Sequence, residues 1–157
     1  MIDIDIARRL RDAGLDWAPA DGDLFVIDNE QLREEPFMLS TMVIETGRGR
    51  AGEAVFRFNG TTEWALDSVE QHEAVWIPRE DQLRAALGEA FGALRREDDG
   101  GFVVELRDAA RSRATEEAEA AAEAGDAASV GEAPVREVPA PEAEDALAGA
   151  LLIHLTR

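Results

Sequence analysis

No cysteine or tyrosine occurs in the 157 residues, and no lysine either, so all 16 basic side chains are arginine. Without cysteine there can be no disulfide, no thiol nucleophile and no cysteine-ligated zinc. Without lysine there is no P-loop lysine, no Schiff base and no pyridoxal attachment. Positive charge is scarce as well: 34 Asp plus Glu face those 16 arginines, a formal net charge of −18. Such a chain repels phosphate backbones and anionic lipid, so neither a nucleic-acid nor a membrane partner is expected. No run approaches the ~20 apolar residues of a membrane span. The opening Met1-Ile2-Asp3-Ile4-Asp5 lacks a basic region followed by an apolar block, and a cytoplasmic location is expected.

What is present is enough for one core: 45% of the residues are hydrophobic. Ile6, Leu10 and Ala13 recur at helical spacing and end at Gly14, a helix with a glycine cap. The Ile2, Ile4, Ile6 alternation leaves a strand open as the alternative start. Strands follow at Leu24 to Ile27, Phe37 to Glu45 and Glu53 to Phe58, and the glycine-rich stretch Gly47 to Gly52 joins the last two as a hairpin. Trp64-Ala65-Leu66 is a strand or the start of a turn, and Ala74 to Ile77 is a strand. Pro78, with Glu80 and Asp81 behind it, opens the most strongly periodic helix. Leu83, Ala86, Leu87, Ala90, Phe91 and Leu94 carry its expected buried face up to Asp98.

Phe102 to Leu106 is a further strand, after which composition changes abruptly. Residues 109–133 hold 11 alanines, six carboxylates and no aromatic, which predicts a mobile insertion or a solvated helix. Val135-Arg136-Glu137-Val138 is expected to pair back with Phe102 to Leu106, with Pro139 and Pro141 ending it. Leu147, Leu151, Leu152 and Leu155 give a final helix, with His154 near its end. The expected fold is α+β: a mostly antiparallel sheet with three packed helices, one domain formed by 1–108 and 134–157.

Few motifs carry chemistry. Gly47-Arg48-Gly49-Arg50-Ala51-Gly52 matches the dinucleotide fingerprint in letters, but a strand follows where the phosphate-binding helix would have to start, so a hairpin loop is the better account. There is no nucleophile elbow and no H-E-x-x-H, and each acidic pair sits at a turn or helix start. Two features remain. His72 lies in Glu70-Gln71-His72-Glu73, where flanking carboxylates could serve acid–base work or a weak metal site. Trp64 and Trp76 flank an acidic connection; core packing accounts for both, or they wall a cleft with Glu63, Asp67 and Arg79 for a basic or planar ligand.

The runs Phe58-Asn59-Gly60-Thr61-Thr62-Glu63-Trp64-Ala65-Leu66-Asp67-Ser68-Val69 and Val75-Trp76-Ile77-Pro78-Arg79-Glu80-Asp81-Gln82-Leu83-Arg84 resemble a family of small actinobacterial proteins of unknown function. Gly14-Leu15-Asp16-Trp17-Ala18-Pro19 and Ala146-Leu147-Ala148-Gly149-Ala150-Leu151-Leu152 fit the same pattern. Members sometimes carry a pilus-assembly label, which implies a partition-type ATPase. A chain without lysine cannot supply that ATPase's phosphate-binding loop, so the resemblance implies an accessory binding role. It names no catalytic residue.

The expected function is a non-catalytic protein-interaction domain that binds another protein or a second copy of itself. The alternatives are a small metal-dependent hydrolase using His72 with Glu70 or Glu73, and a small-molecule sensor in the Trp64 to Trp76 region. The candidate binding residues are Glu63, Trp64, Asp67, His72, Trp76 and Arg79, with no catalytic residue, metal or cofactor assigned.

Overall fold

The structure, a computed structural model, describes residues 1–30, 32–40, 43–58, 68–107 and 135–157. Its elements are those of an α+β protein: helices and three small antiparallel sheets of three strands each, where the sequence reading expected one sheet. Contacts group the chain into two compact units, Met1–Arg79 and Glu80–Arg157. Among the described residues no helix is long and apolar enough to cross a membrane. Residues 109–133, with the expected insertion, and Glu63, Trp64 and Asp67 lie outside the described residues.

The first unit begins with helix α1 (Ile4–Asp12), which settles the choice between helix and strand at the N-terminus. Asp3 is the reason: its Oδ1 accepts from the Asp5 N–H at 2.8 Å, capping a free amide of the first turn. Gly14, at φ +90°, ends the helix as expected, and the Gly14 and Leu15 amides donate back to the carbonyls of Arg11 and Leu10. The first sheet has the order β2 (Phe37–Met38), β1 (Leu24–Ile27), β6 (Ala74–Ile77), and α1 packs against β6. The second is β3 (Ile44–Arg48), β4 (Ala54–Phe58), β5 (Ser68–Glu70); β3 and β4 form the expected glycine-rich hairpin, but the single strand expected from Phe37 to Glu45 is divided between β2 of the first sheet and β3 of the second.

Strand alternation decides what the first unit buries. Phe25 pairs with Trp76 and Ile27 with Ala74, so those four share one face of the first sheet. Phe25, Ile27 and Ala74 join Leu39, Ile44, Phe56 and Val69 in one core cluster, with Trp17, Leu32, Phe37 and Phe58 packed against it. The opposite face carries Val26, Val75 and Ile77, also buried.

The second unit opens with α2 (Glu80–Leu87), with Glu80 and Asp81 in its first turn. Here the sequence reading needs correcting. The helix does not run on to Leu94: after a single 3-10 turn at Gly88–Ala90 the chain becomes strand β7 (Phe91–Arg96). Pairing with β8 (Phe102–Leu106) overrides the helical spacing of the apolar residues. The pairing slips by one residue between Phe91 and Ala93, and Gly92 makes room for it, since a Cβ there would lie 2.8 Å from the Glu105 carbonyl oxygen. Strand β9 (Arg136–Ala140) pairs antiparallel with β8 from Leu106↔Arg136 to Phe102↔Ala140, the pairing expected across residues 109–133, but it runs through Pro139, which an edge strand tolerates, instead of ending there. Helix α3 (Ala143–Leu155) buries Ala146, Leu147, Ala148, Ala150 and Leu151 while packing on α2, β8 and β9. His154 sits in its last turn, where the helix dipole favours positive charge.

Candidate functional site

Trp76 is the one large aromatic of β6 and points to the same side as Phe25. Trp17 approaches that face from the extended segment after α1. The two indoles are parallel within 3°, with ring centroids 6.1 Å apart, an offset stack that leaves part of each face uncovered by the other. Trp17 also meets Phe56 at 5.4 Å and Phe25 at 5.9 Å, so one ring belongs both to the core and to the stack.

A buried carboxylate fixes Trp17. Asp23, 1% exposed, accepts at Oδ2 from Trp17 Nε1 at 2.9 Å and from the Ala20 amide at 3.0 Å. Arg79 supplies the charge such a carboxylate needs: its Nη1 lies 3.4 Å from Asp23 Oδ1 and donates to the Gly22 carbonyl at 2.8 Å. Arg79, expected at a ligand cleft, is thus placed where it holds the support of Trp17.

Beside the stacked indoles lies a cavity of about 480 Å³, within the ~300–1,000 Å³ typical of small-molecule sites. Apart from Trp17 and Trp76 its wall is formed by Ala7, Arg11, Leu15, Asp16, Glu53, Ala54, Glu70, Gln71, His72 and Ala74, all from the first unit. Two buried polar atoms on these residues, Trp76 Nε1 and Glu53 Oε2, have no hydrogen-bond partner among the described residues. Each such atom costs about 1–3 kcal/mol while it stays unpaired.

His72, on the 3-10 turn Gln71–Glu73, reaches the same cavity, with Nδ1 3.1 Å from Glu70 Oε2. Glu73 is turned to a structural task, its Oε2 accepting from the Glu70 amide at 3.1 Å. Arg11 is committed to Asp28 at 2.9 Å and Asp12 at 3.0 Å, and Arg8 adds a contact to Asp28 at 3.3 Å. The hydrogen bond from Arg11, reinforced by Arg8, outweighs burial and holds the Asp28 carboxyl below its ordinary pKa.

Of the six candidate residues, His72 and Trp76 come together at the cavity, Arg79 stands behind it, and Glu63, Trp64 and Asp67 are outside the described residues. Sequence reasoning missed Trp17 as the partner of Trp76, and missed Asp16, Glu53 and Asp23. The usable signal was the alternation of Leu15, Trp17 and Pro19, all partly buried between exposed neighbours. Among the described residues no Ser, Thr, Cys or Lys lines the cavity, and no three His, Asp or Glu converge to hold a metal. No protein-family model, curated protein or solved structure matches this chain.

Proposed function

We propose that this chain is a non-catalytic binding protein that takes a small molecule into the cavity beside Trp17 and Trp76. One observation carries the reading: stacked indoles wall a cavity of small-molecule size, and two of its lining residues, Trp76 and Glu53, carry a buried unpaired donor and a buried unpaired acceptor. Of the functions expected from the sequence this is closest to the sensor, with Trp17 in the place given to Trp64. A chain with no cysteine to pair fits the cytoplasm as its compartment. The test is a screen of small fragments of mixed charge, read by the indole N–H resonances. Fragments that move the Trp17 and Trp76 signals, and lose affinity in Trp76→Ala that still folds, support it. A screen in which nothing of any charge moves either signal removes it.

A second reading, the protein-interaction domain, is supported by Met38 and Val43, which are 56% and 53% exposed beside the edge strand β2. The resemblance to pilus-labelled actinobacterial proteins belongs to this reading. Sizing decides it: a dimer that Met38→Glu dissolves favours association through this edge, and a concentration-independent monomer opposes self-association.

A further inference from the structure

We infer that the cavity of the first unit takes an organic cation with N–H donors, an ammonium or amidinium on a flat body that also carries an oxygen acceptor. The inference rests on the proposed reading of the cavity as a binding site and names what it selects.

Charge is the first argument. Asp16, Glu53 and Glu70 bring three carboxylates to the wall against Arg11 and His72. Arg11 is already held by Asp28 and Asp12, and His72 by Glu70. Asp16 and Glu53 have no ion-pair partner among the described residues, so the cavity has unmatched negative charge. Asp16 is exposed and hydrated, whereas Glu53 is partly buried; an anion would meet repulsion there, and a neutral apolar molecule would cover the Glu53 carboxylate without compensating it.

The placement of Glu53 is the second. It follows the glycine-rich turn between β3 and β4, and its carboxylate packs onto the Cα side of Gly49, in space that any Cβ at residue 49 would occupy. The turn therefore holds this carboxylate at the wall, with Oε2 buried and unpaired. A charged N–H is the strongest donor that could satisfy it. The indoles are the third: an aromatic face attracts a cation, and tryptophan does so best. Trp76 Nε1–H, the remaining unpaired group, is a donor that no cationic nitrogen can satisfy, and an oxygen on the flat body of the ligand would complement it.

Three probes that share a phenol ring and differ only in the tail test this: tyramine with an ammonium, 4-ethylphenol with none, and 4-hydroxyphenylacetate with a carboxylate. Titrations of the full chain are followed by the indole N–H signals. Tyramine is expected to move the Trp76 and Trp17 signals and to bind about tenfold more tightly than either analogue, as a charged hydrogen bond implies. Glu53→Gln, of the same shape, should erase that preference and leave 4-ethylphenol unchanged, and Gly49→Ala should do likewise by displacing the carboxylate. Equal or tighter binding of 4-ethylphenol or 4-hydroxyphenylacetate, or a Glu53→Gln protein that keeps the preference, overturns the cationic assignment and leaves the cavity reading standing. If no probe moves either signal the assignment falls, and the mixed-charge screen then decides whether the cavity reading falls with it.

Discussion

The two units solve the problem of a small core with different materials. The first fills its interior with rings: Phe25 and Phe56 stack at 5.0 Å, Trp17 leans on both, and Phe37 meets Phe58 edge-on at 5.9 Å. The second is aliphatic, with Leu83, Leu87, Val103, Val104, Leu106, Leu147 and Leu151 buried and its two phenylalanines only partly covered. Flexible aliphatic side chains interdigitate around a helix such as α3, and its alanines let it lie close to β8 and β9. Rigid rings meet at set angles and leave flat-walled space where they end. The larger cavity lies beside the ring cluster, while the second unit has a smaller one of about 380 Å³ beside Phe102, Val103 and Pro139.

The comparison can be broken at its centre. Phe56→Ala removes the ring that both Phe25 and Trp17 touch, and should cost about 3–5 kcal/mol with a red shift of tryptophan emission, measured by denaturant unfolding. Leu147→Ala, fully buried on α3, should cost about 2–5 kcal/mol by helical dichroism, because a close-packed aliphatic site relaxes only in part. If Phe56→Ala costs no more than a surface substitution, the rings are not the organisers of the first unit. Asp23→Ala leaves the Trp17 N–H and the Ala20 amide without their acceptor and should cost about 1–3 kcal/mol. It should also broaden the Trp17 indole signal, whereas a merely exposed carboxylate would leave that signal alone. In the second unit Gly92→Ala drives a methyl against the Glu105 carbonyl and should cost about 1–3 kcal/mol by the same unfolding measurement.

The smallest effect concerns Asp28. Its folded pKa lies below the unfolded value, so its contribution is complete above the ordinary carboxylate range and is lost as pH falls through the folded value. The side chain is 35% exposed, and solvent screening keeps the contribution to at most about 1 kcal/mol. Asp28→Asn should therefore be slightly less stable than the parent at neutral pH and equal to it in strong acid. A difference that persists once Asp28 is protonated would show that the Arg8 and Arg11 contacts are not electrostatic.

Local signals carried much of this fold. Gly14 stopped α1, the glycine-rich turn set the β3–β4 hairpin, Pro78 introduced α2, and the β8–β9 pairing followed from two short apolar runs. Phe91 to Arg96 defeated the same logic, because a helical spacing of apolar residues cannot reveal a partner strand waiting at Phe102 to Leu106. The site was half legible. Trp76 and His72 drew attention through their residue types, and both reach the cavity. Trp17 and Glu53 did not, since a stack between residues 59 positions apart, or a carboxylate resting on a glycine, exists only after the chain has folded.

The Trp17 ring is a shared timber, serving at once as interior filling and as the partition against which an occupant would lie. Occupancy and architectural integrity are therefore coupled through a single member. Any guest that steadies this ring should raise the melting temperature in proportion to the logarithm of its concentration, turning a thermal scan into a binding curve.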